Sequence, residues 1–355
     1  MFRKIYTIAI AALLACLLLA SAMAEGAVIE LDPMYNVPTE ELITRFPIKY
    51  ETPAVTDMEK KIQNRMLNGF NTWNLGYDAW EHWGEVLYSD ASIYNVHGAH
   101  LTLKEYQASM NMALQATDIQ MGQFLNMILS GDWTAIRYET SMTNRETGET
   151  TYSPVTEFVR FKDFGEKGAK VDEGWGGVRD ASMAGMMYFM TEEEQAYQKE
   201  LDDAILSIVL PETDDLEAKY PVTYPTEVST ELGQQIKAAI LADFEAWNSG
   251  AEAWSDWADR YFTKDVEYSL GNAQMQQMTL EEVKTEAARE INDLSAQRVR
   301  IDNIIISEDW AGVHYWNVIV GEDGARTPMD TMVFMHFIQT DDGVKVDLYD
   351  AHQGF

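Results

Sequence analysis

Cysteine is nearly missing: Cys16 is the single one in 355 residues, and it falls in a leader-like segment expected to be removed. The remaining chain has no disulfide, no zinc–thiolate centre and no cysteine nucleophile, so packed cores must hold it together. Positive charge is also scarce. Against 58 Asp and Glu stand 26 Lys and Arg, a formal net charge of −32, and such a surface repels nucleic acid and anionic headgroups. Solubility in a salty exterior accounts for the acid, since no D-x-D-x-D-G loop accompanies it to suggest bound calcium. No G-x-S-x-G, P-loop or dinucleotide fingerprint occurs, which disfavours serine hydrolases, nucleotide triphosphatases and Rossmann oxidoreductases. No cofactor is expected.

Arg3 and Lys4 precede an apolar run from Ile5 to Ala20, and Ala22-Met23-Ala24 supplies the small residues of a cleavage site. This pattern predicts a signal peptide over 1–24 and a secreted or periplasmic protein without stable membrane insertion after cleavage. A lipoprotein reading through Cys16 would leave an apolar stretch behind the modified residue and is the lesser alternative. Four prolines (Pro33, Pro38, Pro47, Pro53) mark 25–55 as an extended lead-in.

Tryptophan and glycine then supply the organising feature. FNTWNLGYDAWEHW (Phe70 to Trp83) and FEAWNSGAEAWSDW (Phe244 to Trp257) share seven of fourteen positions, too many for helical composition alone, so the chain reads as an internal duplication. A second pair, Gly168-Ala-Lys-Val-Asp172 and Gly343-Val-Lys-Val-Asp347, repeats at nearly the same offset, 175 residues against 174. Each half begins with two amphipathic helices, the first opened in one copy by a capping box at Thr56 and Glu59 and broken at Gly76 or Gly250. A strand follows, then a helix starting at Thr102 or Thr279, then long alternating strands. The expected organisation is one domain over 56–190, an acidic helix and linker over 191–229, and a second domain over 230–355.

Helices followed by antiparallel strands give an α+β class, here two tandem cone-shaped domains, each a curved antiparallel sheet wrapped around its N-terminal helices. W-N-x-G, a helix, then an aromatic and Asp before a strand (Trp73, Asn74, Gly76, Tyr88, Asp90; Trp247, Asn248, Gly250, Phe262, Asp265) resembles the opening of SnoaL-like domains. These belong to the nuclear-transport-factor-2-like superfamily, which includes ketosteroid isomerase and polyketide cyclases. Val171-Asp-Glu-Gly-Trp-Gly-Gly-Val178 also resembles that family's last strand, and the second copy lacks its Glu-Gly-Trp trio. Where the family commonly has Asp after the W-N-x-G glycine, this chain has Tyr77 and Ala251. The resemblance implies a cone pocket and, where there is catalysis, a carboxylate acting as general acid or base on a carbonyl compound.

Candidate catalytic groups are therefore Asp172, matched by Asp347, and His97. Strand alternation offers the opposite reading for Asp172, a place on the face away from the pocket. Candidate ligand-binding residues are Trp73, Tyr77, Trp80, His100, Arg137, Tyr138, Glu157, Trp175, His314 and Trp316, although a tryptophan stripe is also what a core needs. Arg137 shares a face with Trp133 and Ala135, and His314 with Trp310 and Trp316. His97 and His100, at H-x-x-H spacing, have no evident carboxylate partner, so no metal site is expected.

Two functions fit: an exported monomer or weak dimer binding a small apolar molecule, or a cofactor-free isomerase, cyclase or hydratase using Asp as acid and base. The first is favoured, because no acid/base pair recurs in both copies. The first half is expected to do the work, because His97, His100, Arg137, Glu157 and Glu173-Gly174-Trp175 occur there alone. Intact-mass measurement of the exported form is expected to show Glu25 as its first residue; recovery of a full-length intracellular chain counts against export.

Overall fold

The computed structural model describes residues 36–96, 99–163, 169–178, 191–270, 275–321 and 323–353; the leader and His97 lie outside them. The first unit runs α1 (Thr39–Arg45), β1 (Ile48–Tyr50), α2 (Asp57–Leu75), α3 (Tyr77–Leu87), β2 (Tyr88–Val96), β3 (Ala99–Thr102), α4 (Leu103–Ala116), β4 (Thr117–Ser130), β5 (Trp133–Asn144), β6 (Thr150–Asp163) and β7 (Ala169–Val178). Between the units come α5 (Glu192–Leu206) and α6 (Leu216–Lys219). The second unit runs α7 (Glu231–Ser249), α8 (Ala251–Tyr261), β8 (Phe262–Ser269), β9 (Gln276–Thr279), α9 (Leu280–Leu294), β10 (Gln297–Ser307), β11 (Trp310–Val320), β12 (Arg326–Thr340) and β13 (Gly343–Gln353). The sheets order as β1-β4-β5-β6-β7-β2-β3 and β10-β11-β12-β13-β8-β9. Apart from β1 the two orders are the same, so the architecture is two tandem α+β units.

The repeated W-N-x-G motif has a mechanical explanation. Gly76 and Gly250 adopt φ of 122° and 104°, a conformation that disfavours any side chain, and each lets one helix end and the next begin at once. Just before it, the Trp73 indole donates to the Ile119 carbonyl at 2.7 Å, and the Asn74 amide donates to and accepts from the Met121 backbone, both at 2.8 Å. Trp247 and Asn248 bind the backbones of Ala296 and Arg298 in the same way. The Trp-Asn pair thus pins the end of the first helix to the start of β4 or β10. Capping boxes at Thr56/Glu59, Thr102/Glu105 and Thr279/Glu282 set the other helix starts.

Strand alternation divides each sheet into two faces. One face packs on its own helices: Ile136, Tyr138, Val155, Val159, Phe161 and Val171 in the first unit, Val313, Tyr315, Val333, Met335 and Tyr349 in the second. The opposite faces pack on each other through Ile128, Trp133, Ala135, Phe158, Trp175, Ile305, Trp310, Met332, Phe334 and Leu348. The approach is close: a Cβ added to Gly312 would stand 2.7 Å from the Ala135 Cβ and 3.2 Å from the Phe158 ring. Contacts recur reciprocally, as across a two-fold axis. Tyr50 packs on Trp310 (4.9 Å) and Tyr224 on Trp133 (5.4 Å). Arg137 lies over Phe334 (5.7 Å), and its counterpart His314 lies beside Phe158 (5.6 Å).

Two expectations change. The lead-in is not simply extended: α1 buries Leu42, and β1 pairs in parallel with β4 at Ile48↔Phe124. The stretch after α6 is more than a linker, because Val222 bridges Ile301 in parallel and Tyr220 is buried in the second core. Lead-in and linker therefore play the same part in the two units, and their lack of hydrophobic periodicity hid this.

Arg137 and Asp350 form a hydrogen-bonded ion pair across the sheets, with side chains 3% and 2% exposed. Removing one partner of such a pair strands a buried charge and costs about 3–5 kcal/mol, whereas replacing both by apolar groups is often neutral. Arg137→Met leaves Asp350 with His352, at 3.1 Å, and is expected to lower stability by up to about that amount; adding Asp350→Leu is expected to recover part of it. Urea denaturation followed by tryptophan fluorescence decides; an unaltered midpoint in the single variant would refute it.

Candidate functional site

Glu157 sits on the helix-facing side of β6, in phase with Val155 and Val159. Its cross-strand neighbours are Ile136 and Gly176, neither of which offers a charge. The Tyr138 hydroxyl donates to its carboxylate at 2.7 Å, and Tyr94 supplies a second phenol hydrogen bond. Tyr106 stacks on Tyr94 at 4.6 Å, and Trp80 meets Tyr106 edge-on at 5.7 Å. Glu157 itself is half-buried. No ion pair to it occurs among the described residues. Burial therefore raises its pKa, with the two phenols opposing the shift. The same burial, with Glu157 next in order, pushes the Tyr94 and Tyr138 hydroxyls well above their usual range.

Glycine makes the arrangement possible. A Cβ on Gly174 would stand 2.6 Å from the Tyr94 ring, and one on Gly176 would stand 3.0 Å from its hydroxyl. These strand positions are bare so that Tyr94 can lie flat against β7 and reach Glu157.

The second unit fills the equivalent space. Along the matched registers Tyr349 stands where Gly174 does, Ala351 for Gly176, and Val333 for Glu157. Arg298 enters from β10, its guanidinium 4.2 Å from the Trp247 ring centre and hydrogen-bonded to Asp243 at 2.5 Å. Trp254 donates to the other Asp243 oxygen at 2.8 Å. Burial alone would depress Arg298, but Asp243 more than offsets this and raises it. The second interior is an internally neutralised, filled core; the first holds an unneutralised carboxyl.

The remaining candidates separate. Trp73 and Trp80 are core, meeting edge-on at 4.8 Å. Tyr77 donates to the Gln107 carbonyl at 2.8 Å, and burial followed by Glu81 raises its pKa to about 12. Tyr138 and Glu157 face the first interior. Arg137, Trp175 and His314 lie between the sheets, so the expected convergence of base, acid and aromatic on one cone mouth does not occur. His314 is fully buried, 3.9 Å from Asp302 and 3.6 Å from Asp330. Trp316 donates to Asp302 at 2.8 Å in a small cluster with Ile205 and Val318. Asp302 also takes both prongs of Arg300, which together with His314 and Trp316 hold its pKa down against burial. His100 bonds Asn95 at 2.8 Å and stacks on Tyr197 of α5 at 3.6 Å.

Asp172 is not inside the cone. A bulge opposite Arg160/Phe161 turns it away from Val171, and it pairs with Arg160 at 2.6 Å. Asp347 pairs with His336 at the same distance, and Arg160 and His336 lie against Trp133 and Trp310 respectively. The recurrent Asp therefore anchors a basic residue over an intersheet tryptophan in both units. Alternation in Val171-Asp172 pointed this way; the site residues that went unnoticed are Tyr88, Tyr94, Tyr106 and Gly176. Only the in-phase acid of Val155-Thr-Glu-Phe-Val159 signalled them.

No family model and no curated protein matches the chain. Solved structures do. One named as a SnoaL-like polyketide cyclase from Jannaschia sp. CCS1 is 15% identical with a TM-score of 0.31, covering 36% of this chain and 90% of that one. One named as a dehydratase of the NTF2-like family from Streptomyces avermitilis is 19% identical, TM-score 0.28, covering 34% and 93%. A ketosteroid isomerase-like protein from Erwinia carotovora atroseptica is 16% identical, TM-score 0.25, covering 31% and 87%. At these identities and TM-scores the likeness carries nothing about family or chemistry.

Because the Glu157 pKa lies above its ordinary 4.5, the folded protein keeps a proton that the unfolded chain has released. Stability then falls as pH rises from the unfolded value through the folded one. Glu157→Gln removes this dependence, so the variant is expected to gain stability relative to the wild type as pH rises from about 4.5 towards neutrality. Urea midpoints across that range check it; a constant difference would sink the assignment.

Proposed function

We propose that the chain is an exported protein whose first unit binds a small, largely apolar molecule by its polar end, with Glu157, Tyr138 and Tyr94 as the recognising groups. The observation that carries this reading is the unneutralised carboxyl of Glu157 within an aromatic interior, in one copy only. Burying such a group without a counter-charge costs stability, and the second unit shows that the same fold closes without it. A cost borne in one copy points to a ligand. The leader-like pattern before Glu25 supports export, and among the described residues no helix is long and apolar enough to cross a membrane. Because the outer sheet faces are already covered by each other, the protein acts as a monomer.

A second reading, cofactor-free acid/base chemistry on a small carbonyl compound, draws on a specific pairing: a carboxyl raised by burial beside a phenol donor at 2.7 Å. In this reading Glu157 is the acid or base, and Asp172 has no part in it.

Untargeted mass spectrometry of what copurifies with the exported protein tests the binding reading. Glu157→Gln is expected to lower ligand occupancy about tenfold, the loss of a charged hydrogen-bond partner. Asp172→Asn and His314→Ala are expected to leave it within about twofold. Equal losses in all three would place the ligand elsewhere.

A further inference from the structure

Resting on the reading that the first unit holds a ligand, we infer that this ligand carries a compact organic cation, a protonated or quaternary amine, seated among Tyr88, Tyr94, Tyr106 and Tyr138 against Glu157. The side chains gathered around the carboxyl are aromatic rings: Tyr94 and Tyr106 stacked at 4.6 Å, Tyr106 against Trp80 at 5.7 Å, Trp83 against Tyr88 at 5.8 Å. Ring faces attract cations through their quadrupole, and desolvation strengthens the attraction. Tyr94, with β7 on one face and Tyr106 on the other, contributes its hydroxyl instead. An anionic ligand would meet a carboxyl to which the nearest hydroxyls, Tyr138 and Tyr94, already donate their protons in hydrogen bonds. A purely hydrocarbon ligand would gain nothing from the carboxyl, which would remain a cost.

The second unit supports this by what it places in the same interior. There a guanidinium, Arg298, lies over Trp247, Phe244 and Tyr315 at 4.2, 5.1 and 5.1 Å and pairs with Asp243. Those three rings correspond to Trp73, Phe70 and Tyr138 of the first unit. This cone therefore accepts a cation over its aromatic wall when a carboxylate is at hand. In the first unit the position of Arg298 is taken by Met121, tied to Asn74 as Arg298 is to Asn248. The carboxyl and the rings are present, and the built-in cation is not. The net charge of −32 raises the local concentration of small cations near the protein.

The charged and titratable groups facing Glu157 are Tyr138 from β5, Tyr94 and Tyr88 from β2, and Tyr106 from α4 through its contact with Tyr94. None is basic. A cation arriving beside the carboxyl lowers its pKa, so binding near the titration of Glu157 releases a proton to solvent, and affinity rises with pH across that range. Tyr138→Phe removes a hydrogen bond that favours the ionised form, which moves this rise to higher pH.

Choline, its neutral carbon isostere 3,3-dimethylbutan-1-ol and the anion 3,3-dimethylbutanoate serve as probes on the full exported chain, by titration calorimetry in two buffers of different ionisation heat. Choline is expected to bind at least tenfold more tightly than the isostere and to release protons. Glu157→Gln is expected to abolish that preference while leaving the isostere unchanged, and Tyr138→Phe, the milder variant, to shift the pH profile upward. Equal binding of choline and the isostere overturns the cation and leaves the ligand-binding reading standing; preference for the anion does the same. Binding of none of the three overturns both. A choline preference that survives in Glu157→Gln places the cation elsewhere, for instance the cleft of about 320 Å³ lined by Asp265, Glu267, Trp310 and Asp347, and the inference fails.

Discussion

Each sheet has two apolar faces, and only one of them can be covered by its own helices. A lone unit of this kind would leave Trp133, Phe158 and Trp175 in water, and the duplication supplies the surface that covers them: the same face of the second unit, turned about a two-fold axis. Much follows from this one constraint. Gly312 must be bare, because Ala135 and Phe158 occupy the space of its side chain. The lead-in and the linker must each end in a tyrosine, Tyr50 or Tyr224, because each covers the other unit's tryptophan. The matched Asp172 and Asp347 must hold Arg160 and His336, the polar lids at the edges of that layer.

Duplicated units that bury a shared face are held alike there and freed elsewhere. Even between the sheets the two copies have drifted, since Arg137 faces Asp350 where the reciprocal contact is His314 against Trp175. A buried Arg–Asp pair on one side and a tilted ring contact on the other occupy equivalent places between the sheets. Inside the cones the divergence has chemical weight. Tyr349 and Arg298 close the second interior; Gly174, Gly176 and Met121 leave the first to Tyr94 and Glu157.

Much of the fold was legible because its determinants are local. The Trp-Asn-x-Gly motif fixes a helix end, a tight junction and a strand start within a few residues, and it appears twice. Alternation also placed Arg137 correctly with Trp133 and Ala135. What alternation does not contain is which face of a sheet looks at helices and which at another sheet, because both are apolar when a sheet is buried on two sides. Arg137, Trp175 and His314 were assigned to a pocket for that reason alone. The lead-in and linker escaped because a three-residue strand and an isolated parallel bridge leave no period to detect.

The same ambiguity explains why recurrence misleads at Asp172. Between copies of one fold, a retained charged residue most readily reports a shared structural need, and here that need is an ion pair beside an intersheet tryptophan. A functional group is better sought where one copy keeps an energetic cost that the other has shed. Glu157 meets that condition: its counterpart is Val333, no ion pair reaches it among the described residues, and burial opposes its ionisation. Exchange for an apolar residue at that position is demonstrably compatible with the fold, as the second unit carries it. The carboxyl is therefore not required to build the cone, and the cost it imposes in the first unit is the physical mark of a site.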